Sequence, residues 1–233
     1  YGIHVLNIFG SNEGICLSSS ATDLPDPADR AQYFPRYGLD GTTWSGRVAA
    51  MTRTRIVDLD TRREISSPGK SGELEIAGPS VFDGYWQSAQ DNAVVFSPDG
   101  YFRTGDVFEI PDDPAKATYY RFVGRSKDII VRGGVKISPD EIDNLLAGHP
   151  KLAAVAVVGY DDEILGERIG AVVVPKPGER VSLDDLTMFL RDRGVAVFKL
   201  PEQLREVEAL PINATGKMLR RELKRLFEGE AAG

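Results

Sequence analysis

The sequence predicts an α+β protein in two parts: a strand-rich stretch over residues 1–126, and a smaller stretch over residues 127–233 where strands and helices alternate. Two observations support this prediction. Short apolar runs in the first part are separated by turn residues, whereas those in the second part are separated by segments with helical periodicity. The pattern changes near Lys127, which predicts a domain boundary there.

Composition and charge narrow the classes of protein to which the chain can belong. Its 233 residues are 42% hydrophobic and 27% charged, which is typical of a globular protein and unlike a disordered or collagen-like one. The net charge of -7 argues against general binding to the phosphate backbone of nucleic acids. A single cysteine cannot form an intrachain disulfide, so we expect a reducing, cytoplasmic location. No apolar run is long enough to predict a transmembrane helix.

In the first part, elements are predicted from apolar runs and turn residues. A buried strand is expected near the start of the sequence, up to Phe9. A long irregular connection is expected over residues 18–46, which are rich in Ser, Asp, Pro and Gly. Further strands, separated by Pro-Gly and Pro-Asp turns, are expected over residues 47–58, 72–77, 102–110 and 117–123.

The second part opens with a predicted hairpin. Residues 128–131 and 135–137 flank Gly133 and Gly134, and a pair of glycines between two apolar runs is typical of a tight β-turn. Two longer apolar runs predict core strands over residues 153–158 and 169–174.

Three helices are predicted in the second part from capping residues and periodicity. Ser138 can cap the first, and Glu141 can reach back to complete a capping box. Ser182 can cap the second, whose first turn is acidic. A third is expected over residues 218–227, where apolar residues recur on one face. Its other side should be a solvated basic face made of Arg220, Arg221, Lys224 and Arg225.

Asn12 and Glu13 follow the first predicted strand within a run of small residues, Gly-Ser-Asn-Glu-Gly. Small residues let a ligand approach the backbone closely. The Asn12 amide could donate a hydrogen bond, and Glu13 offers the hard oxygen ligand that suits magnesium beside phosphates. The alternative is a tight turn with a solvated Glu.

Three further charged residues stand at turns. Asp106 follows Thr-Gly at a strand's edge, where a carboxylate could accept both hydroxyls of a ribose, although turn Asp residues are common. Arg125 and Lys127 lie where the pattern changes, which suits a polar hinge and equally a solvated linker.

Lys217 follows Gly216, and this Gly-Lys pair invites comparison with a phosphate-binding P-loop. That loop requires a glycine at position 211, which is proline here, so the P-loop is rejected. A lysine on a glycine turn could still reach an external anion as a point charge, and an ordinary surface lysine is the alternative.

Taken in order, these segments resemble the motifs of the ANL superfamily of adenylate-forming enzymes, which comprises acyl- and aryl-CoA synthetases, peptide-synthetase adenylation domains and luciferases. Residues 166–168, Gly-Glu-Arg, resemble a further feature of its C-terminal domain. The resemblance spans nearly the whole chain. It covers the aromatic-Gly-x-Thr-Glu motif at 9–13, the Gly-Glu-Leu to Gly-Tyr-Trp segment at 72–86, Tyr-x-Arg-Thr-Gly-Asp at 101–106, the hinge motif at 122–142, and the Leu-Pro to Gly-Lys-x-x-Arg segment at 210–220.

The resemblance implies a domain assignment. Residues 1–126 would be the C-terminal, β-rich part of the large AMP-binding domain, and residues 127–233 the small lid domain, a short β-sheet flanked by helices. The family's Ser/Thr/Gly-rich phosphate-binding loop would lie upstream of this sequence, so we expect the isolated chain to be inactive. One wall of the acyl pocket could be formed by Ile15, Cys16 and Leu17. Cys16 could equally be a small buried apolar residue.

Roles for individual residues follow from the same resemblance. Lys217 would be catalytic, bridging the carboxylate substrate and the α-phosphate during adenylation. Glu13 would bind Mg²⁺. Asn12 stands where the family usually has Thr, and it would contact phosphate or adenylate. Asp106 would accept the ribose hydroxyls, assisted by Arg125.

Lys127 would be the hinge residue of the lid. Gly133 and Gly134 would line the tunnel for the pantetheine arm of CoA, where missing side chains let a thiol arm pass close to the backbone.

The function implied is ATP-dependent activation of a small carboxylic acid to an acyl-adenylate, followed by transfer of the acyl group to CoA. ATP, Mg²⁺ and CoA would be the cofactors. Such chemistry needs cations that offset phosphate charge and a lid that closes differently for each step. Two alternatives stay open: an adenylation enzyme that loads a separate carrier protein, and, for the isolated chain, a non-catalytic binding module.

Overall fold

The computed structural model describes residues 5–14, 16–214 and 216–228. The chain divides into two compact units, Tyr1–Ser126 and Lys127–Gly233. Each combines antiparallel strands with a few helices, which confirms the predicted α+β class. The roles of the units as large-domain tail and lid stay a prediction.

The first unit is built mainly from strands. Its six-stranded antiparallel sheet has the order β3-β8-β7-β6-β4-β5, and β1 and β2 form a separate antiparallel pair. The strands are β1 (Asn7–Gly10), β2 (Cys16–Ser19), β3 (Tyr33–Pro35), β4 (Arg53–Val57), β5 (Glu64–Ile65), β6 (Lys70–Ala77), β7 (Phe102–Ile110) and β8 (Tyr119–Arg125). The helices are α1 (Pro27–Arg30), α2 (Arg47–Met51) and α3 (Ala89–Val95), with a 3₁₀ turn at Pro114–Lys116.

An aromatic core fills one face of the six-stranded sheet. Phe108 on β7 is fully buried, and its ring meets those of Phe9, Phe34 and Phe122 edge to face at centroid distances of 5.0, 6.1 and 5.4 Å. Edge-to-face pairs of this kind add about 0.5–1.5 kcal/mol to the burial of the rings. The core therefore ties β1 to the main sheet.

Charged groups cluster on β6 and its neighbours. The side chain of Glu75 is 2% exposed and contacts Arg55, Arg62 and Arg103. Glu73, two residues earlier on β6, also pairs with Arg62, at 2.5 Å. Buried carboxylates need such partners, because an unpaired buried charge is very costly.

Two sequence predictions for the N-terminal third of the first unit are wrong. The predicted N-terminal strand begins at residue 2, and its residues 2–4 lie outside the described ranges. Its described part is half exposed rather than buried, with Ile8 58% accessible, and β1 pairs with β2. Residues 18–46 are not a single irregular connection. They contain α1 and β3, and Asp26 caps α1 by accepting from the Ala28 N–H.

The predicted strand over residues 47–58 begins as a helix. Gly46 has φ of 93°, a conformation that glycine adopts readily, and α2 follows it. Sheet pairing starts only at Arg53, opposite Ala77. The Val-Ala-Ala-Met run in α2 mixes apolar residues without alternation, so its apolar character alone did not reveal the helix.

The second unit contains one five-stranded sheet. Its order is β10-β9-β12-β11, with β13 parallel to β12 and the remaining pairs antiparallel. The strands are β9 (Ile130–Arg132), β10 (Val135–Ile137), β11 (Leu152–Asp162), β12 (Gly166–Pro175) and β13 (Gln203–Glu206). The helices are α4 (Pro139–Leu146), α5 (Leu183–Arg191) and α6 (Arg220–Lys224), with 3₁₀ turns at Ser126–Asp128, Val197–Lys199 and Arg225–Phe227.

Both faces of this sheet are buried. Val155 and Val157 of β11 face a core that includes α4 and α5, whereas Ala156 and Val158 face a second core closed by Leu223 and Phe227. Burial on both faces explains why β11 reads as a continuous apolar run.

Capping explains where two helices begin. The Ser138 hydroxyl accepts from the Glu141 N–H at the start of α4, and the Glu141 carboxylate contacts Lys199 at 2.8 Å. At α5 a reciprocal capping box forms, in which Ser182 Oγ accepts from the Asp185 N–H and Asp185 Oδ2 accepts from the Ser182 N–H. The predicted Ser138 and Ser182 caps are thus confirmed.

The last helix is shorter than predicted, because α6 is followed by a 3₁₀ turn rather than by further α-helix. Leu223 and Phe227 are buried as expected, but Leu226 is 41% exposed. The basic side is not uniformly solvated. Arg220 and Lys224 both make ion pairs.

Candidate functional site

Glu13 lies in the turn between β1 and β2, beside Asn12, which is exposed. The Ser11 hydroxyl donates to Glu13 Oε2 at 2.6 Å, and the Tyr85 hydroxyl donates to Oε1 at 3.1 Å. The bond from Ser11 contributes most to holding the pKa of Glu13 below its usual range, and the bond from Tyr85 adds to it. Glu13 is therefore an oriented, ionised carboxylate.

Glycine is required directly after Glu13. A Cβ on Gly14 would lie 1.6 Å from the carbonyl oxygen of Ser80, and its φ is +88°. The Phe82 N–H donates to the Glu13 carbonyl at 3.0 Å. Residues 80–82 thus fix the backbone of the turn, and this close approach is the reason for glycine at position 14.

Asp106 and Arg125 are partners across β7 and β8. Arg125 Nε lies 2.9 Å from Asp106 Oδ1, and Asp106 is 9% exposed. Two neighbours shape the turn before Asp106. Thr104 Oγ1 accepts from the Asp106 N–H at 3.0 Å, and Glu73 Oε1 accepts from the Gly105 N–H at 3.0 Å.

The first unit pairs two of the predicted residues, Asp106 and Arg125. Arg125 contacts Asp106 directly, and its positive charge also helps to lower the pKa of Glu13. Arg125 thus contacts one carboxylate, that of Asp106, whereas the Glu13 carboxylate is held by the Ser11 and Tyr85 hydroxyls. Asp106 can present acceptors to sugar hydroxyls, and Glu13 can present a hard oxygen to a cation.

The geometry fits a magnesium ion held mainly by its substrate. Within the described ranges, no group of three His, Cys, Asp or Glu side chains is arranged to hold a metal. Mg²⁺ is commonly bound through one or two carboxylates together with phosphate oxygens and water, so one fixed carboxylate suffices. Ser11 and Tyr85 occupy one acceptor position on each oxygen of Glu13, and a carboxylate has about four.

Lys127 is exposed in the 3₁₀ turn Ser126–Asp128 and is the first residue of the second unit. Gly133 and Gly134 form the two-residue loop of the β9–β10 hairpin, with φ of +56° and +81°. A turn with two positive φ values is the type I′ turn, for which glycine is favoured. The hairpin by itself therefore accounts for both glycines, and their place in a pantetheine tunnel stays a prediction.

Lys217 is exposed at the end of a short loop. Asn213 Oδ1 accepts from the Lys217 N–H at 2.8 Å, and the Asn213 N–H donates to the Lys217 carbonyl at 2.8 Å. An isolated bridge between Ile212 and Met218 closes the loop. Gly216 has φ of +79°. The loop presents the lysine's ammonium to solvent.

The proposed wall of the acyl pocket receives no support from the described part of the first unit. Ile15 and the side chain of Cys16 lie outside the described residues. Leu17 is fully buried in the aromatic core.

Sequence reasoning missed the residues that hold the functional groups. Ser11, Tyr85 and Glu73 make the contacts that orient Glu13 and Asp106. Tyr85 and Glu73 lie in the segment 72–86, which the family resemblance includes. The sequence did not show that Tyr85 contacts Glu13 or that Glu73 contacts the Gly105 N–H. In the second unit, Glu202 joins two cations of different strands, Arg132 and Arg168.

None of the helices within the described ranges combines the length and the apolar character needed to cross a bilayer.

Comparison with known proteins places these residues in a family context. Residues 141–217 match the family model for the AMP-binding enzyme C-terminal domain. The chain is 42% identical over 176 residues to a salicylyl-CoA synthase / salicylate adenylyltransferase of a Streptomyces species, a match that covers 76% of this chain and 31% of that protein. It is 34% identical over 229 residues to the medium-chain fatty-acid–CoA ligase of Escherichia coli K12, covering 96% and 37%.

A solved structure resembles the chain over nearly its whole length. The crystal structure of ATP-bound MatB from Rhodopseudomonas palustris matches with a TM-score of 0.75 and 28% identity, covering 97% of this chain and 41% of that one. The chain thus spans less than half the length of each of these three proteins.

Proposed function

Because this chain belongs to the ANL superfamily of adenylate-forming enzymes, we propose that it is part of an AMP-forming ligase that activates a carboxylic acid with ATP and transfers the acyl group to CoA. Residues 1–126 would be the end of the large AMP-binding domain and residues 127–233 the lid. The enzyme would act in the cytoplasm on a small carboxylic acid.

The ion pair between Arg125 and Asp106 is the observation that carries the proposal. Asp106 would accept the ribose hydroxyls of ATP, and Arg125 would fix that carboxylate while adding positive charge near the phosphates. Asn12, exposed beside Glu13, would donate to a phosphate oxygen. These assignments rest on the donor and acceptor chemistry of the residues.

Glu13 would hold Mg²⁺ together with the phosphates, and the ion would supply positive charge that offsets theirs. Lys217 would serve the first step. Its exposed ammonium, on a loop of the second unit, would bridge the acid's carboxylate and the α-phosphate. Gly133 and Gly134 would line the path of the thiol in the second step.

The acceptor thiol has two candidates. The two relatives described above have CoA in their names, whereas the 2,3-dihydroxybenzoate-AMP ligase of Bacillus subtilis, 32% identical over 224 residues, does not. One of those names also reads salicylate adenylyltransferase, and adenylation without CoA is what an enzyme that loads a separate carrier protein performs in its first step. CoA is proposed, with the carrier protein as the alternative.

The test uses the full-length enzyme that contains this chain. Acid-dependent exchange of pyrophosphate into ATP is measured with a panel of aromatic and medium-chain aliphatic acids. CoA and a phosphopantetheinylated carrier protein are then compared as acceptors. We expect exchange with at least one acid and faster thioester formation with CoA. No acid-dependent exchange would refute the ligase, and a clear preference for the carrier protein would establish the alternative.

Asp106→Ala supplies the residue-level test, with the exposed Asp112→Ala of the same unit as the matched control. Removing an ionised acceptor from two ribose hydroxyls should raise the KM for ATP about tenfold or more, since hydrogen bonds to charged groups contribute about 1.5–3 kcal/mol. The control should leave the KM for ATP unchanged. The 233-residue chain alone is expected to release no pyrophosphate.

A further inference from the structure

Arg220 differs from its basic neighbours in the last helix. It is the first residue of α6, three residues after Lys217, and its side chain is only 14% exposed. Arg221 and Arg225 of the same segment are exposed. The Arg220 side chain points into the second unit rather than to solvent.

Arg220 joins three segments of the second unit. Its Nη2 contacts two carboxylates of α4, those of Asp140 and, at 2.8 Å, Asp143. Its Nη1 donates to the carbonyl of Val157 on β11 at 2.7 Å. Asp143 Oδ1 in turn accepts from the Val157 N–H at 2.6 Å. The start of α6, helix α4 and strand β11 therefore meet in one polar cluster, composed of Arg220, Asp140, Asp143 and the Val157 backbone.

The cluster occupies a sheet edge. Among the strands of the described residues, β11 pairs with β12 alone, so within them its outer edge has no strand partner. At Val157 the outward N–H and C=O are both satisfied, one by a carboxylate and one by a guanidinium. Charge-assisted bonds of this kind are roughly twice as strong as neutral ones. Arg220 and Asp143 thus make the two hydrogen bonds to Val157 that a neighbouring strand would otherwise make.

The lysine loop lies next to this edge in the sequence, because Arg220 follows Lys217 by three residues. Its described hydrogen bonds run mostly within residues 211–219, including the Asn213–Lys217 pair and the bond from the Leu219 N–H to the Pro211 carbonyl at 2.9 Å. Such bonds shape the loop without fixing it to the sheet. Arg220, directly after the loop, supplies a polar anchor. Leu210 and Met218 on either side of the loop, and Leu223 and Phe227 further along, supply apolar contacts to the core.

We propose that the cluster of Arg220, Asp140 and Asp143 positions Lys217 for the adenylation step by anchoring the loop to strand β11. The proposal rests on the function given above for Lys217. Arg220 is a positioning residue. Its guanidinium fixes the point at which the loop meets β11, and this fixes the position of the Lys217 ammonium three residues earlier. A lysine at 220 would keep the charge but lose the fork that spans two carboxylates and a carbonyl.

A structural role without any effect on Lys217 is the competing explanation. It predicts that losing Arg220 lowers both half-reactions together, whereas positioning predicts a loss in adenylation alone. The test therefore uses two measurements, one on the loop and one on the chemistry. The variants are Arg220→Gln, Arg220→Lys and Asp143→Asn, and exposed Arg221→Gln is the matched control for charge.

Amide hydrogen exchange of the 233-residue chain reports on the anchor directly. In Arg220→Gln we expect exchange over residues 211–219 to accelerate about tenfold or more, while amides inside β12 keep their protection, because a loop can open locally at a lower free energy than the core. Arg221→Gln should exchange like the wild type. Unchanged protection of the loop in folded Arg220→Gln would overturn the proposal. If that variant does not fold, Arg220→Lys is judged by the same criterion.

The half-reactions of the full-length enzyme report on the consequence. Arg220→Gln should slow adenylation about tenfold or more and leave conversion of supplied acyl-adenylate to thioester within about threefold, the pattern of an interaction needed in one step only. Combining it with Asp143→Asn should cost little more than either change alone, because residues of one network are not additive. Equal losses in both half-reactions, or additive losses, would overturn the proposal. If the wild type itself fails to adenylate, the proposed function is wrong, and the exchange data alone decide whether the anchor exists.

Discussion

Glu13 is held by two hydroxyl groups, those of Ser11 and Tyr85, and not by a paired cation. A hydroxyl fixes the direction of a carboxylate oxygen without neutralising its charge, so the ionised group keeps its attraction for an incoming cation. Asp106 is different, because Arg125 lies directly against it. Under the proposed function, these environments would suit different partners, a metal ion for Glu13 and neutral hydroxyls for Asp106.

Lys217→Ala tests the proposed catalytic role of Lys217 in adenylation. In the full-length enzyme, adenylation should slow by about 10²-fold or more, as is typical for the loss of one electrostatic donor in a transition state. Conversion of supplied acyl-adenylate to thioester should be nearly unaffected, and it serves as the internal control. An equal loss in both half-reactions would contradict the assignment and point to a folding defect.

Gly170→Ala tests the contact between β12 and the last aromatic residue. A Cβ at Gly170 would lie 2.6 Å from the ring of Phe227, which stacks on Tyr160 with centroids 5.2 Å apart. Overpacking of a buried site should lower the free energy of unfolding by about 1–3 kcal/mol in urea titrations. Gly148→Ala is the matched control, since its Cβ would make only ordinary contacts, the nearest at 3.5 Å. Phe227→Leu should relieve the Gly170→Ala defect, and a failure to do so would disprove the clash.

At the scale of elements, the short 3₁₀ turn Ser126–Asp128 joins the last strand of the first unit to the first strand of the second. A turn of three residues has few torsion angles, so any change in the relation between the units would concentrate its φ and ψ changes there. The capping box of α5, in contrast, holds its backbone in one conformation. It fixes a helix start with two reciprocal bonds and an ion pair from Lys151.

Lys127→Pro tests the hinge. Proline fixes φ near -65° and restricts the preceding residue, so the lid should be confined to one pose. If that pose is the adenylating one, adenylation should persist while thioester formation falls severely, the reverse of the pattern expected for Lys217→Ala. Both half-reactions are measured in the full-length enzyme. Thioester formation within a few-fold of wild type would exclude Lys127 as the hinge, and a loss of both steps with lowered thermal stability would indicate a broken fold.

Asp185 makes the capping box of α5 sensitive to acid. The Ser182 N–H, followed by Lys151, lowers the pKa of Asp185 to about 2. A depressed pKa in the folded state means that the ionised carboxylate stabilises the fold above its ordinary pKa of about 3.9, and that this contribution is lost as the pH falls towards 2. The difference in thermal midpoint between wild type and Asp185→Asn should therefore be constant above about pH 5 and shrink below pH 4. Asp184→Asn, at the neighbouring exposed position, should show a smaller difference; a pH-independent difference for Asp185→Asn would contradict the prediction.

The whole molecule contains separate hydrophobic cores. The aromatic core of the first unit draws its buried residues from positions 17–120, whereas the two cores of the second unit draw theirs from positions 130–227. No buried residue of these clusters is shared between the units. A core that is complete within one segment is the condition for independent folding of that segment.

Residues 127–233 should accordingly fold without the rest of the chain. Expressed alone, they should unfold cooperatively in urea, with a midpoint close to that of one transition of the whole chain. The Gly170→Ala variant marks that transition, because its contact with Phe227 lies inside the second unit. A shift of every transition of the whole chain by this single change would show that the units unfold together.

The sequence was informative where the deciding interaction is local. Ser138 and Ser182 each accept from an N–H group three residues later at the start of a helix, and Gly133-Gly134 forms the turn of its hairpin. Caps and turns could be predicted because they depend only on neighbouring residues. The inward turn of Arg220 was not predicted, since its partner Asp143 lies 77 positions away and periodicity carries no information about such pairs. Asp106 was identified by motif, but its pairing with Arg125 depends on the register of β7 and β8.

The segment after Lys217 also covers part of the second unit's sheet. Leu223 and Phe227 cover one face of the sheet, and Arg220 blocks the edge of β11 at Val157. Proteolytic removal of residues 218–228 would uncover an apolar face and an open strand edge at the same place, the combination that promotes aggregation by strand addition. Clipping at the lysine loop should therefore yield an insoluble product rather than a soluble, inactive one.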